Sequence, residues 1–117
     1  MSNAAFTLPE PDADENAPYA LVGTARARPG KADALEAALL ALVAPTREED
    51  GALEYHVHRD RADRDLFVFF EAWATLAHLK AHLDQPYILD YLSKRTEYLD
   101  GEMQVNWLRM ASPYPRH

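Results

Sequence analysis

The run Leu66 to Trp73, LeuPheValPhePheGluAlaTrp, is apolar or aromatic at every position but one. Strand residues two apart share a side. Leu66, Val68, Phe70 and Ala72 therefore fall on one face, and Phe67, Phe69, Glu71 and Trp73 on the other. A sheet built around such a strand has to be covered on both sides. The exception, Glu71, looks the same way as Trp73, and a carboxylate on an aromatic, buried surface is expensive unless it is paired or used. Directly after the strand, Thr75 is a suitable N-cap for a short helix, 76–83, that carries His78 and His82. Function is to be sought in this stretch, 66–86.

At 117 residues the chain has room for one domain with a real core. It contains no cysteine, which removes disulfides, thiolate catalysis and Cys-ligated metals, and fits a cytoplasmic protein. Nineteen acidic residues against 12 basic ones give a net charge of −7, which argues against a phosphate-backbone partner such as nucleic acid. No apolar run approaches the roughly 20 residues needed to span a bilayer, and the first residues lack the basic start and apolar stretch of a signal peptide. A small, uncharged or weakly charged ligand is expected.

Residues 1–17 hold Pro9, Pro11 and four carboxylates, and read as a tail or an arm lying on other surface. The folded domain is placed at 18–111, with a short C-terminal tail at 112–117. Within it, Tyr19 to Arg28 reads as a strand closed by Pro29-Gly30. Leu35, Leu39, Leu42 and Val43 recur at helical spacing and predict a helix over 31–44, ended or kinked by Pro45. Asp50-Gly51 turns the chain into a strand over 53–59. A charged loop, 60–65, makes a hairpin with the strand 66–73. Helices follow over 76–83 and 87–98, and Asp100-Gly101 leads to a last strand over 103–110. The order strand–helix–strand–strand–helix–strand is that of an α+β, ferredoxin-like fold, with both helical segments on one face of a four-stranded antiparallel sheet. No segment is left to cover the other face, so a second copy packed sheet to sheet is expected: a homodimer.

Candidate site residues cluster around the third strand. Glu71 and Trp73 suit a pocket wall; the plainer alternative pairs Glu71 with Arg26, Arg59 or Arg109 and makes Trp73 simple core. His78 and His82, four apart, share a helix face, a spacing that can hold a metal. Glu54, His56 and His58 alternate on the preceding strand, and a hairpin register opposing Arg59 to Leu66 would put them beside Glu71 and Trp73. A slip of one residue would reverse that. Histidines on a strand and a helix are common surface features, and no metal is expected. His82, close to Pro86-Tyr87, is the candidate base, since imidazole titrates near neutral pH. Tyr55, Tyr87, Tyr91, Tyr98 and Trp107 add aromatic area for a cavity or for core. There is no phosphate-cradling glycine loop, nucleophile elbow or dinucleotide fingerprint, so no bound nucleotide is expected.

ArgProGlyLys at 28–31, GluGluAspGlyAlaLeuGluTyr at 48–55, PheGluAlaTrp at 70–73 and AlaHisLeuLysAlaHisLeuAspGlnPro at 77–86 resemble the antibiotic biosynthesis monooxygenase (ABM) family, in particular its small quinol monooxygenase-like members. The resemblance covers residues 19–110. It implies a dimeric α+β barrel of ferredoxin-like protomers, each with a cavity between sheet and helices. It also implies oxygenation of a quinol- or anthrone-type hydroxyaromatic by O2 as co-substrate, without metal or flavin. On that reading His82 is the base, Tyr55 or Glu71 orients a hydroxyl or peroxide oxygen, and Trp73, Phe69 and Tyr87 hold the ring, with His78 and Trp107 as further substrate-binding positions. A non-catalytic small-molecule binder on the same barrel is the alternative. A haem-degrading branch carries an Asn on the first strand with a Trp and a helix His. Trp73 and His82 match two of these, but residues 19–28 contain no asparagine, which counts against haem.

Overall fold

A strand apolar on both faces belongs inside a sheet, and the computed structural model, which describes residues 8–11 and 18–113, puts it there. The strands are β1 (Tyr19–Arg26), β2 (Ala52–Arg59), β3 (Leu66–Trp73) and β4 (Gln104–Arg109), in the order β2-β3-β1-β4 with every neighbouring pair antiparallel. The helices α1 (Ala32–Leu40), α2 (Val43–Arg47), α3 (Leu76–Leu83) and α4 (Pro86–Lys94) complete the ferredoxin-like fold, with a short 3₁₀ turn, Arg95–Glu97, after α4. Phe67, Phe69, Glu71 and Trp73 point into the core beneath the helices, while Leu66, Val68 and Phe70 on the opposite face remain half-buried.

Expectations of two kinds needed correction. The first concerns the helix read over 31–44, which is two helices with a joint at Ala41–Leu42. Pro45 sits in the first turn of α2, and in a continuous helix its ring would strike the carbonyl of Ala41. The chain therefore breaks one turn ahead of the proline: Leu42 N–H donates to Leu39 O, and a new helix starts with Thr46 N–H donating to Leu42 O. This redirects the chain so that Thr46 is fully buried and Glu49 turns inward. Similarly, the stretch read as one helix over 87–98 ends its α-helical part at Lys94 and tightens into the 3₁₀ turn; Pro86 supplies the preorganised first position.

The second is the hairpin register. Arg59 opposes Phe67 rather than Leu66, so His56 lies opposite Phe70 and His58 opposite Val68, on the outer face and away from Glu71 and Trp73. The loop fixes this. Asp60 N–H donates to Leu66 O, and the Asp60 carboxylate accepts from the N–H groups of Ala62 and Asp63. The same slip turns Tyr55 and Val57 inward, placing Tyr55 opposite Glu71 and Val57 opposite Phe69. Burial of a tyrosine and a valine in exchange for two histidines is the stronger drive.

Gly23 on β1 sits opposite Phe69, whose ring lies across it: a Cβ there would be 2.2 Å from Phe69 Cζ. The missing side chain is what lets that ring lie flat against the sheet. Thr75 caps α3, accepting the His78 N–H at 3.2 Å. Of the acidic N-terminal stretch, Pro9 and Glu10 lie beside Tyr19, Ala20 and Trp107 to Arg109; residues 1–7, 12–17 and 114–117 lie outside the described residues.

Candidate active site

Where β3 leaves the sheet, its two inward polar groups meet the imidazole of α3. Trp73 Nε1 donates to Glu71 Oε1 at 3.1 Å, and His82 Nε2 stands 3.7 Å from that same oxygen. The indole and imidazole rings overlap at 4.5 Å between centroids, tilted by 32°, and the edge of Tyr55 approaches the imidazole at 5.7 Å. On its other side His82 Nδ1 is 2.9 Å from Glu49 Oε2, the oxygen that also accepts from the Tyr87 hydroxyl. His82 is 2% exposed and Glu71 7%, so this chain of polar groups is almost dry.

Burial sets the protonation of the pair. It pushes Glu71 from 4.5 up to about 7; the Trp73 hydrogen bond opposes that rise and the nearby Glu49 charge adds to it. Burial pushes His82 below 6.5, against the pull of its hydrogen bond to Glu49 and of the Glu49 charge. Near neutral pH the site thus holds an uncharged imidazole beside a carboxyl close to half protonation. Burial first, and then the Glu71 charge, lifts the Tyr55 phenol far above its usual range, so Tyr55 is a neutral hydroxyl. Tyr87 rises to about 12, through burial and then its bond to Glu49. Thr46 Oγ1 is buried between these groups with no partner in hydrogen-bonding geometry, although its proximity counts against the rise of both phenols.

Glu71, His82 and Tyr55 open onto a cavity of about 50 Å³ whose remaining walls are almost wholly apolar: Leu21 and Phe69 from the sheet, Leu39 and Leu42 from the α1–α2 joint, Ile88, Tyr91 and Leu92 from α4, and Met103 near β4. That volume holds a few waters, well short of the roughly 300–1,000 Å³ of ordinary ligand pockets. A ring-sized ligand would need more room than this cavity gives.

The residues singled out from the sequence are thereby divided. Glu71, His82, Tyr55 and Phe69 line the cavity. Trp73 is fully buried behind His82 and away from the lining, and Tyr87 is on the far side of Glu49. His78 is engaged with the Thr75 hydroxyl at 2.8 Å and packs over Gly51, outside the cavity. Trp107 shares the inner face, opposite Leu21, without reaching the cavity lining. The arginines weighed as partners for Glu71 include Arg26, which binds Asp63, and Arg59, which binds Asp33 and Glu36. Glu49 lies within a motif that carries the family resemblance but is not among the site residues read from the sequence, because in GluGluAspGly nothing distinguishes it from its exposed neighbour Glu48. Among the described residues no three His, Asp or Glu side chains are grouped to hold a metal ion, and no helix is long and apolar enough to cross a membrane.

Known proteins share this arrangement of chain. The "Putative monooxygenase Rv0793" of Mycobacterium tuberculosis is 33% identical over 91 residues, covering 78% of this chain and 89% of its own. Its solved structure superposes with a TM-score of 0.74 over 85% of this chain and 97% of that one. The structure of PA3566 from Pseudomonas aeruginosa is 35% identical, with a TM-score of 0.79, covering 85% of this chain and 99% of that one. The protein sll1783 of Synechocystis is 26% identical over 111 residues, covering 91% of this chain and 76% of its own. Residues 18–94 match the family described as Antibiotic biosynthesis monooxygenase, which takes in β1 to α4 and with them Glu49, Tyr55, Glu71, Trp73 and His82: the chain belongs to that family.

Proposed function

We propose that the protein is a monooxygenase that oxidises a small or polycyclic hydroxyaromatic, of quinol or anthrone type, with O2. The observation that carries this reading is the His82–Glu71 pair in the wall of an apolar cavity: a neutral base and a carboxyl near half protonation, 3.7 Å apart. Environments that set an acid and a base side by side at neutral pH are what proton-transfer chemistry needs. A substrate hydroxyl seated between them gives its proton to His82 Nε2 and, when Glu71 is protonated, receives a hydrogen bond from that carboxyl. The anion so formed passes one electron to O2; recombination of the resulting radical and superoxide makes a carbon–oxygen bond, and a proton completes the hydroperoxide. Loss of water then breaks the O–O bond and leaves a carbonyl, so that one oxygen atom enters the product and the other leaves as water. The dry apolar walls strengthen the hydrogen bonds to the anion and keep bulk water from it. Leu39 and Leu42, at the joint between α1 and α2, and Ile88 and Leu92 on α4 form the roof that opens to admit the ring. Two copies associate through the outer sheet face, where Val22, Val68 and Phe70 lie side by side and only half-buried.

Oxygen uptake by the purified protein against hydroquinones, naphthoquinols and anthrones, corrected for autoxidation, tests the reading. Protein-dependent uptake that collapses in His82→Ala is expected. Uptake that survives His82→Ala and Glu71→Leu unchanged would refute the assigned roles, and no uptake above autoxidation across the panel would refute the reaction.

A further inference from the structure

We propose that Glu49 is the positioning residue of this site, holding His82 in the Nδ1–H tautomer so that the lone pair of Nε2 faces Glu71 and the cavity. The base role of His82 rests on the function proposed above; the tautomer does not.

An imidazole has one acceptor nitrogen when neutral, and the partner of the other nitrogen decides which one it is. A carboxylate oxygen only accepts. With Glu49 Oε2 at 2.9 Å from Nδ1, the proton belongs on Nδ1. Nε2 then has no proton to give, and it is the nitrogen turned to Glu71. Glu49 is itself fixed. It lies two residues past the end of α2, in the turn that ends at Gly51, and its Oε2 accepts a second hydrogen bond from Tyr87 on α4. Three elements thus converge on one oxygen: the α2–β2 turn, α3 and α4. Trp73 lies against one face of the ring, and the edge of Tyr55 approaches it as well. The groups that govern His82 titration are therefore Glu49 from the turn, Glu71 from β3, Tyr55 from β2 and Tyr87 from α4. Of these Glu49 alone makes a direct hydrogen bond to the imidazole.

Long-range proton–nitrogen NMR correlations on protein labelled with ¹⁵N-histidine read both the tautomer and the titration of His82 without any substrate. The wild type is expected to show Nδ1 protonated and Nε2 bare at pH 8. A His82 found as the Nε2–H tautomer overturns the proposal outright, whatever the enzyme does. In Glu49→Gln the charge is lost and the amide can present N–H to Nδ1; the expected result is a shift of population towards Nε2–H and a lower His82 titration midpoint. Glu49→Asp, which keeps the charge, is expected to restore part of both. Unchanged tautomer and midpoint in Glu49→Gln would overturn the proposal. In oxygen uptake, Glu49→Gln is expected to lower kcat on the order of 10²-fold with KM little changed, and Glu49→Asp to recover part of it. A correct tautomer with no uptake by wild type on any substrate would leave Glu49 as the positioning residue and sink the reaction instead.

Discussion

Replacing Glu71 by Gln should stabilise the protein at alkaline pH and leave it almost unchanged in acid. Glu71 rises from 4.5 in the open chain to about 7 in the folded one, chiefly because it is buried. Below pH 4.5 both states carry the proton and the residue adds nothing to the pH dependence. Between 4.5 and about 7 the native state holds a proton that the unfolded chain has lost, so stability falls as pH rises, by about 1.4 kcal/mol per pH unit. Above that window the native state has to bury a carboxylate, and the accumulated loss is roughly 3 kcal/mol. His82 works in the opposite sense: its folded value lies below 6.5, so on acidification the unfolded chain takes a proton that the native state declines, and stability falls as pH drops. The two slopes partly cancel in wild type, which is why the informative quantity is the difference between Glu71→Gln and wild type. The amide oxygen can still accept from Trp73 Nε1, so that hydrogen bond survives the substitution. Urea unfolding at fixed protein concentration from pH 4.5 to 9 measures the difference directly; in thermal melts it corresponds to roughly 10 °C for a chain of this size. A gap near zero at pH 4.5 that opens to about 3 kcal/mol by pH 8 is expected. A gap that is constant across the range would mean that Glu71 titrates as an ordinary carboxylate, and the account of a neutral acid beside His82 would fail with it.

Gly23→Ala pushes a methyl into the ring of Phe69, which is buried and has nowhere to retreat except the cavity. A destabilisation of about 1–3 kcal/mol is expected, measured by urea unfolding, together with reduced turnover on the bulkiest substrates first. Thr75→Ala removes the cap of α3 and is expected to lose about 1 kcal/mol; since α3 carries His82, the His82 NMR signal should broaden or shift at the same time. Phe70→Asp places a charge in the middle of the outer sheet face, and sedimentation is expected to find wild type as a dimer and the variant as a monomer; an unchanged sedimentation coefficient would show that this face is not the interface.

Much of this architecture is legible in the sequence because it rests on patterns that survive without tertiary detail. The two-faced run 66–73 falls on β3 residue for residue, and Thr75 announces the start of α3 through its own side-chain chemistry. What is not legible is whatever depends on a choice between nearly equal local alternatives. Pro45 told that the helix must end, but the clash that ends it lies four residues upstream, so the joint falls at Ala41–Leu42 rather than at the proline. Alternation in LeuGluTyrHisValHisArg offers two faces, one with Tyr55 and Val57, the other with Glu54, His56 and His58. Which of them points inward is decided by how Asp60 closes the hairpin, a matter of one residue.

The same ambiguity hid Glu49, and its position explains more of the site than the register does. A carboxylate next to an Asp-Gly turn reads as a solvated turn residue, and its neighbour Glu48 is one. Glu49 differs only because the α1–α2 break swings the turn towards α3 and α4, bringing it within reach of His82 and Tyr87. The break, in turn, exists because Pro45 cannot continue α1. A backbone constraint in one helix thus fixes the side-chain carboxylate that orients the imidazole of another. The apolar roof residues Leu39 and Leu42 flank the same break, so an outward movement of the α1–α2 joint that enlarged the cavity would also pull on the turn that holds Glu49. Only α2, Val43–Arg47, separates that joint from the turn that carries Glu49, so a change in the cavity roof and a change in the Glu49–His82 contact are expected together.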